Sequence, residues 1–208
     1  MQYKKLVVFV QHKDVGQLLY GSLTNTSKET NPDWYELAVE LIRLGIKVFK
    51  YGSEHTGKEA GYQIQEDFNK TIRCIMVAST LACGEGLNLQ SCADSVLHER
   101  QWNPQNEDQA TPGRFKRIGQ KSKSINITCV EADETIDMDL SEIVERKRKF
   151  FHELMNKGEL PKWDEGEIAQ ELAQRIVDRW KKKGRAVKNA NIKKMSKPVR
   201  QNENVLGI

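Results

Sequence analysis

Arg114 and Arg117 stand three residues apart, so on a helix they share a face and can converge on one anionic group. Guanidinium forks suit the spread charge of a transferring γ-phosphoryl, where an inserted arginine is worth several powers of ten in rate. Upstream, Gly84 and Gly86 follow the apolar run at 73–80 and let main chain approach a ligand closely. Such a turn lies in the crevice at a strand's carboxyl end, where α/β sheets hold ligands. Two other segments invite phosphate chemistry. Gly52-Ser-Glu-His-Thr-Gly57-Lys58 matches most of a phosphate-binding loop, and Asp133-Glu134 could pass for a magnesium-binding pair. Both miss a needed detail. Glu59 stands where a Ser or Thr hydroxyl should reach magnesium, and Glu131-Ala132 parts the acidic pair from its apolar run. Asp133 reads as the cap of the following helix. A free-standing P-loop enzyme is kept as a minor alternative, tested by nucleotide binding through Lys58.

The elements that must position these groups alternate in kind. Residues 5–11 form a short apolar β-rich run, 14–23 a helical stretch and 24–32 a polar loop. Residues 33–44 put Leu37, Leu41 and Leu44 on one helical face, and Gly45 stops the helix. A strand at 46–51 precedes a helix at 58–70 that presents Tyr62, Ile64 and Phe68. Strands at 73–80, 95–98 and 125–130 follow. Apolar strands separated by helices indicate a parallel sheet covered on both faces, an α/β architecture. Beyond it the period is helical only. One stripe is Ile136, Leu140, Ile143, Val144, Phe151 and Leu154; another is Ile168, Leu172, Ile176, Val177 and Trp180. Asp164 with Glu167 makes a capping box, and Gly184 follows the last turn. The expected division is an α/β domain at 1–132, a helical extension at 133–183 and a basic tail at 184–208.

The chain has 208 residues, 38% hydrophobic and 30% charged, enough to bury a core without disulfides or metal. No apolar run approaches the ~20 residues that span a bilayer, and the N-terminus lacks a signal-peptide core. Cys74, Cys83, Cys92 and Cys129 lie 9, 9 and 37 residues apart with no C-x-x-C pair, so free thiols are expected and no metal site. The formal charge of +4 is unevenly spread: residues 181–208 hold nine Lys and Arg against Glu203, a balance of +8. Residues 1–180 hold 24 basic against 28 acidic groups, or −4. The tail is either a phosphate-attracting arm or a solvated disordered terminus.

Read in order, the segment from 79 to 120 carries a family pattern. It runs Ser-Thr-Leu-Ala-Cys-Gly-Glu-Gly-Leu-Asn-Leu at 79–89, then Trp102-Asn-Pro104, Asp108-Gln109-Ala110 and Arg114-Phe-Lys-Arg117-Ile-Gly-Gln120. This resembles the second motor lobe of superfamily-2 helicases, in the Swi/Snf-like branch. The resemblance extends upstream through Lys5-Leu-Val-Val-Phe-Val-Gln-His and the stretch from Gly52-Ser53 to Asp67-Phe68-Asn69, covering residues 1 to about 150. It implies a RecA-like fold and a lobe of an ATP-dependent helicase or translocase. By that resemblance Arg117 is the arginine finger, Arg114 its companion at the γ-phosphate, and Gln109 the glutamine beside the hydrolytic site. Gly84, Gly86 and Asn88 would lie at the nucleotide, Asn88 near the ribose. Thr80 and Ser53 would contact the nucleic-acid backbone. The partners implied are DNA, with RNA left open, and a first motor lobe; the cofactors are ATP and Mg2+, the metal bound mainly through that first lobe.

The sequence also departs from the pattern. Cys83 replaces the usual glycine and Glu99 the usual aspartate. Thr111-Pro112-Gly113 separates Gln109 from Arg114 by five residues rather than four, and one added helical residue turns a side chain by ~100°. Pro112 cannot continue a helix, so one helix is expected to end near Ala110 and another to start with Thr111 as cap. No first-lobe motif is present, so the isolated chain is expected to be inactive, its partner lobe encoded elsewhere or lost by truncation. The competing reading is a non-catalytic nucleic-acid-binding fragment of a decayed helicase. The compartment expected is cytoplasmic or nuclear, with a viral origin left open and no membrane association.

Overall fold

The computed structural model describes residues 4–84, 87–101, 103–110, 119–120, 122–133, 135–157, 170 and 173–182. The chain divides into two compact units, Met1–Leu160 and Pro161–Ile208. In the second, residues 173–182 are helical, with Val177 and Trp180 exposed. The first unit holds the elements that follow.

Five strands form one sheet: β1 (Lys4–Val10), β2 (Lys47–Tyr51), β3 (Arg73–Ser79), β4 (Asp94–Leu97) and β5 (Asn126–Cys129). Their spatial order is β2-β3-β1-β4-β5, and every neighbouring pair is parallel. Helices α1 (Lys13–Thr24), α2 (Tyr35–Arg43) and α3 (Glu59–Lys70) make the crossovers on the β2 side. Helices α4 (Pro104–Ala110) and α5 (Ile136–Lys157) follow β4 and β5. This is the α/β parallel sheet that the alternation of strand and helix implied.

Because successive strand residues point to opposite faces, β1 and β3 feed two cores. Val7, Phe9, Cys74, Met76 and Ala78 pack on one side with Phe68 of α3 and with Ala82, Cys83, Leu87 and Leu89. Val10 and Val77 pack on the other with Leu23 of α1 and Leu41 of α2. Each large side chain so buried contributes roughly 1.5–3 kcal/mol. Gly45, at φ 66°, ends the α2 region as its position in the sequence indicated.

Four expectations need correction. β5 is exposed at every residue, because Asn126 and Thr128 alternate with Ile127 and Cys129 rather than forming a continuous apolar run. On α2, Leu37 and Leu44 stay exposed while Ala38 and Leu41 meet the sheet. On α3, Tyr62 is 61% exposed; Gly61 and Phe68 are the inward residues. Gly61 is needed there, since a Cβ would overlap the His55 carbonyl oxygen. Finally, Thr135 rather than Asp133 caps α5: the Asp137 N–H donates to Thr135 Oγ1 at 3.2 Å. No helix of the described residues is long and apolar enough to cross a membrane.

The connections leaving β1 and β3 run to opposite sides of the sheet. The crevice between their carboxyl ends is therefore a topological switch point.

Candidate functional site

That crevice opens into a cleft of about 220 Å³ whose lining includes Gln11, Lys13, Lys50, Ser53, Ser79 and Leu81. Each comes from a strand end or the turn just beyond it, except Lys13, the first residue of α1. Ser53 is exposed on the loop after β2. Lys50 Nζ donates to Gln17 Oε1 at 2.6 Å and pairs with Glu54 at 3.1 Å. A main-chain hydrogen bond and the Lys50 ammonium hold the Glu54 carboxyl below its ordinary range. Thr80 sits differently. It is 1% exposed, and both its N–H and its hydroxyl donate to the Val10 carbonyl, at 2.9 and 3.2 Å. Thr80 thus ties β3 to β1 beneath the cleft, while the neighbouring Ser79 faces it.

From β3 the chain turns sharply. The Ser79 hydroxyl accepts the Ala82 N–H, and Ala82–Gly84 form one 3₁₀ turn. Cys83 points into the core with no exposed surface, so the turn accommodates a side chain there. Gly86 lies outside the described residues. Asn88 is pinned by its surroundings: its N–H donates to Gln65 of α3, and its carbonyl accepts from Asn69 at 3.0 Å. Its side chain accepts from the Gln90 N–H and donates to the Gln90 side chain. Buried Lys5 completes this corner. Its ammonium donates to the carbonyls of Phe68 and Asn69 and to Ser91 Oγ, at 2.7, 2.8 and 2.9 Å. A cation at the carboxyl end of α3 also answers the helix dipole. Asn88 does not line the Ser53 cleft; the structure keeps the two apart on separate turns.

The Asn103-Pro104 step starts α4. Asn103 Oδ1 accepts the Gln105 N–H at 3.0 Å, and Pro104 occupies the first helical position, where its missing N–H costs nothing. The helix ends at Ala110, as the proline two residues on requires. Gln109 is in its last turn; the side chain of Gln109, and Trp102, Arg114 and Arg117 altogether, lie outside the described residues.

Sequence reading missed the charged network that holds α4. Arg100, at the end of β4, grips Glu107 with two bonds, Nε to Oε1 at 2.9 Å and Nη2 to Oε2 at 3.0 Å. The two side chains are 5% and 1% exposed. Glu107 also accepts the Gln101 N–H at 2.7 Å and Arg148 Nη2 of α5 at 3.0 Å. Arg100 reaches Ser141 at 2.6 Å and Glu145 at 2.8 Å on α5. Burial alone would raise the Glu145 carboxyl, yet Arg148 and Arg100 hold it below its ordinary range. The one legible signal was Glu99-Arg100, two charges placed directly after a buried strand. Arg148 was hidden among the charges of a helix read only for its apolar stripe.

No protein-family model matches the sequence. The DNA repair protein RAD5 of Kluyveromyces lactis is 27% identical over 143 residues, which is 68% of this chain and 12% of that protein. The human SWI/SNF-related matrix-associated actin-dependent regulator of chromatin subfamily A member 1 is 32% identical over 114 residues, 54% of this chain and 11% of that protein. Among solved structures, the Sulfolobus solfataricus SWI2/SNF2 ATPase core domain aligns with 73% of this chain and 26% of its own, at a TM-score of 0.48 and 21% identity. The chain therefore spans only a small part of the relatives it matches. By its sequence and its motifs it is a relative of the Swi/Snf-family helicases.

Proposed function

We propose that the chain is the C-terminal motor lobe of an ATP-dependent DNA helicase or translocase, completed by a separate first lobe. The observation that carries this reading is the placement of the motif turns along one sheet. Thr80 ends β3, Ser53 follows β2, and the Ala82–Gly84 turn leaves β3 toward Gly86 and Asn88. Helix α4 then leads through Gln109 toward Arg114 and Arg117. In this reading residues 1–132 are the lobe proper, 133–183 its helical extension and 184–208 a basic tail.

Arg117 inserts beside the γ-phosphate as the arginine finger, with Arg114 as companion and Gln109 beside the attacking water. Gly84, Gly86 and Asn88 offer main chain and a polar turn to the nucleotide. Ser53 and the main chain around Thr80 hold the DNA backbone, because the Thr80 hydroxyl is already spent on Val10. ATP supplies the phosphoanhydride whose cleavage drives the cycle. Among the described residues no group of three or more His, Cys, Asp or Glu is placed to hold a metal ion. In this reading the Mg2+ ligands belong mainly to the first lobe. DNA is the favoured partner because a relative is named a DNA repair protein, and the work would be done in the nucleus or cytoplasm.

The experiment is reconstitution. The isolated chain should show no ATPase above background, and adding the first lobe of a Swi/Snf-family relative should create DNA-stimulated turnover. Turnover by the chain alone would refute the reading. The five-residue spacing from Gln109 to Arg114 favours a second one, a nucleic-acid-binding fragment that has lost catalysis. DNA binding without turnover in the reconstituted pair would select it.

A further inference from the structure

Glu107 is the most buried acid on α4, and two arginines from different parts of the chain share its carboxylate. Arg100 approaches from the end of β4, and Arg148 from the middle of α5. Arg148 also donates to Asp108 at 3.1 Å and joins Glu145, which Arg100 binds in turn. Carboxylates of α4 and α5 are thus crosslinked by two planar forks in a site closed to solvent on its Arg100 side. Such a network is rigid when every member is satisfied. It also holds a helix of only seven residues, too short to fix its own direction. Glu107 and Asp108 immediately precede Gln109 in that helix.

We propose that Arg148 and Arg100 are positioning residues: by sharing Glu107 they set the direction of α4, and so where Gln109 and the arginine segment after it enter the ATP site. The proposal rests on the motor-lobe reading for its catalytic consequence, but not for the anchoring of α4. α5 would then be a strut of the motor rather than an appendage following it.

The test uses the full chain carrying Arg148→Met or Arg148→Lys. Arg148 is the variant of choice because its side chain is 27% exposed and Arg100 remains to hold Glu107. In the chain alone, Arg148→Met should speed amide hydrogen exchange across 104–110 at least about tenfold, with β1 and β3 unchanged. With the first lobe of a Swi/Snf-family relative added, kcat should fall about tenfold while KM for ATP stays within about twofold. Arg148→Lys should regain the melting temperature but not kcat, because an ammonium replaces the charge and not the fork. Unchanged exchange over 104–110, or a kcat that simply follows the melting temperature, would overturn the proposal. Faster exchange in Arg148→Met, together with a wild-type pair that never hydrolyses ATP, would refute the motor-lobe reading and leave the anchoring of α4 intact.

Discussion

Glu99 and Gln11 meet across the carboxyl edge of the sheet: one carboxylate oxygen of Glu99 accepts the Gln11 main-chain N–H at 2.7 Å and that of His12 at 3.1 Å. His12 is the N-cap residue of α1, and its own side chain makes no capping bond. β4 therefore delivers the cap for a helix that follows β1, and fixes the turn that lines the Ser53 cleft.

Replacing Glu99 with Ala should cost about 1 kcal/mol of stability, the usual loss when an N-terminal acceptor is removed. Glu99→Gln keeps an oxygen but loses the charge facing the helix dipole, so about half of that is expected. Urea unfolding followed by circular dichroism would check both, and an Ala variant as stable as wild type would show that water replaces the carboxylate.

Burial pushes the Cys92 thiol up to about 12 and the Cys74 thiol up to about 11, from an unfolded value near 9. Below that unfolded value both states keep their protons, and the contribution to stability is fully present. As pH rises toward the folded values the unfolded chain ionises first, so stability is lost. The urea midpoint should fall between about pH 9 and about pH 11, and fall less in Cys92→Ala. Equal slopes for the two proteins would place the alkaline sensitivity elsewhere.

In the reconstituted motor, Arg117→Ala should lower kcat at least ~100-fold with a much smaller change in nucleotide affinity, because the finger acts in the transition state. Arg117→Lys should not rescue it. Gln109→Ala should cost distinctly less, since α4 ends one residue after Gln109 and the added residue before Arg114 changes their relation. Steady-state kinetics on the three variants decides the assignment, and near-normal turnover by Arg117→Ala would refute it.

Removing residues 185–208 should weaken binding to DNA of any sequence and flatten its salt dependence, because Lys and Arg act by releasing counterions. An unchanged slope of affinity against salt would make the tail a solvated terminus.

The sheet was legible because its inner strands have little choice. Leu6-Val7-Val8-Phe9-Val10 and Cys74-Ile75-Met76-Val77-Ala78 can be satisfied only by burial on both faces, and both became neighbours in its middle. The start of α4 was legible for a covalent reason: Pro104, with no N–H to lose, suits the first position of a helix. Periodicity misled where a stripe is wider than the surface available to it, as with Leu37 and Leu44 on α2. It was silent about Arg100 and Glu107, because a charge that will be buried looks in sequence like one that stays in water. Thr80 shows another limit: the motif identified the position, but only coordinates reveal that its hydroxyl serves Val10.

The placing of β1 at the centre of an all-parallel sheet has a consequence for synthesis. β1 leaves the ribosome before either of its partners, Arg73–Ser79 on one side and Asp94–Leu97 on the other. Until the first of these emerges, Leu6 to Val10 have no partner strand to join, and no local hairpin can shelter them. Pairings so distant along the chain close late and slowly. The nascent protein must carry this apolar strand unpaired while the segments between it and its neighbours are made, so its yield in cells should depend on chaperone supply more than its final stability suggests.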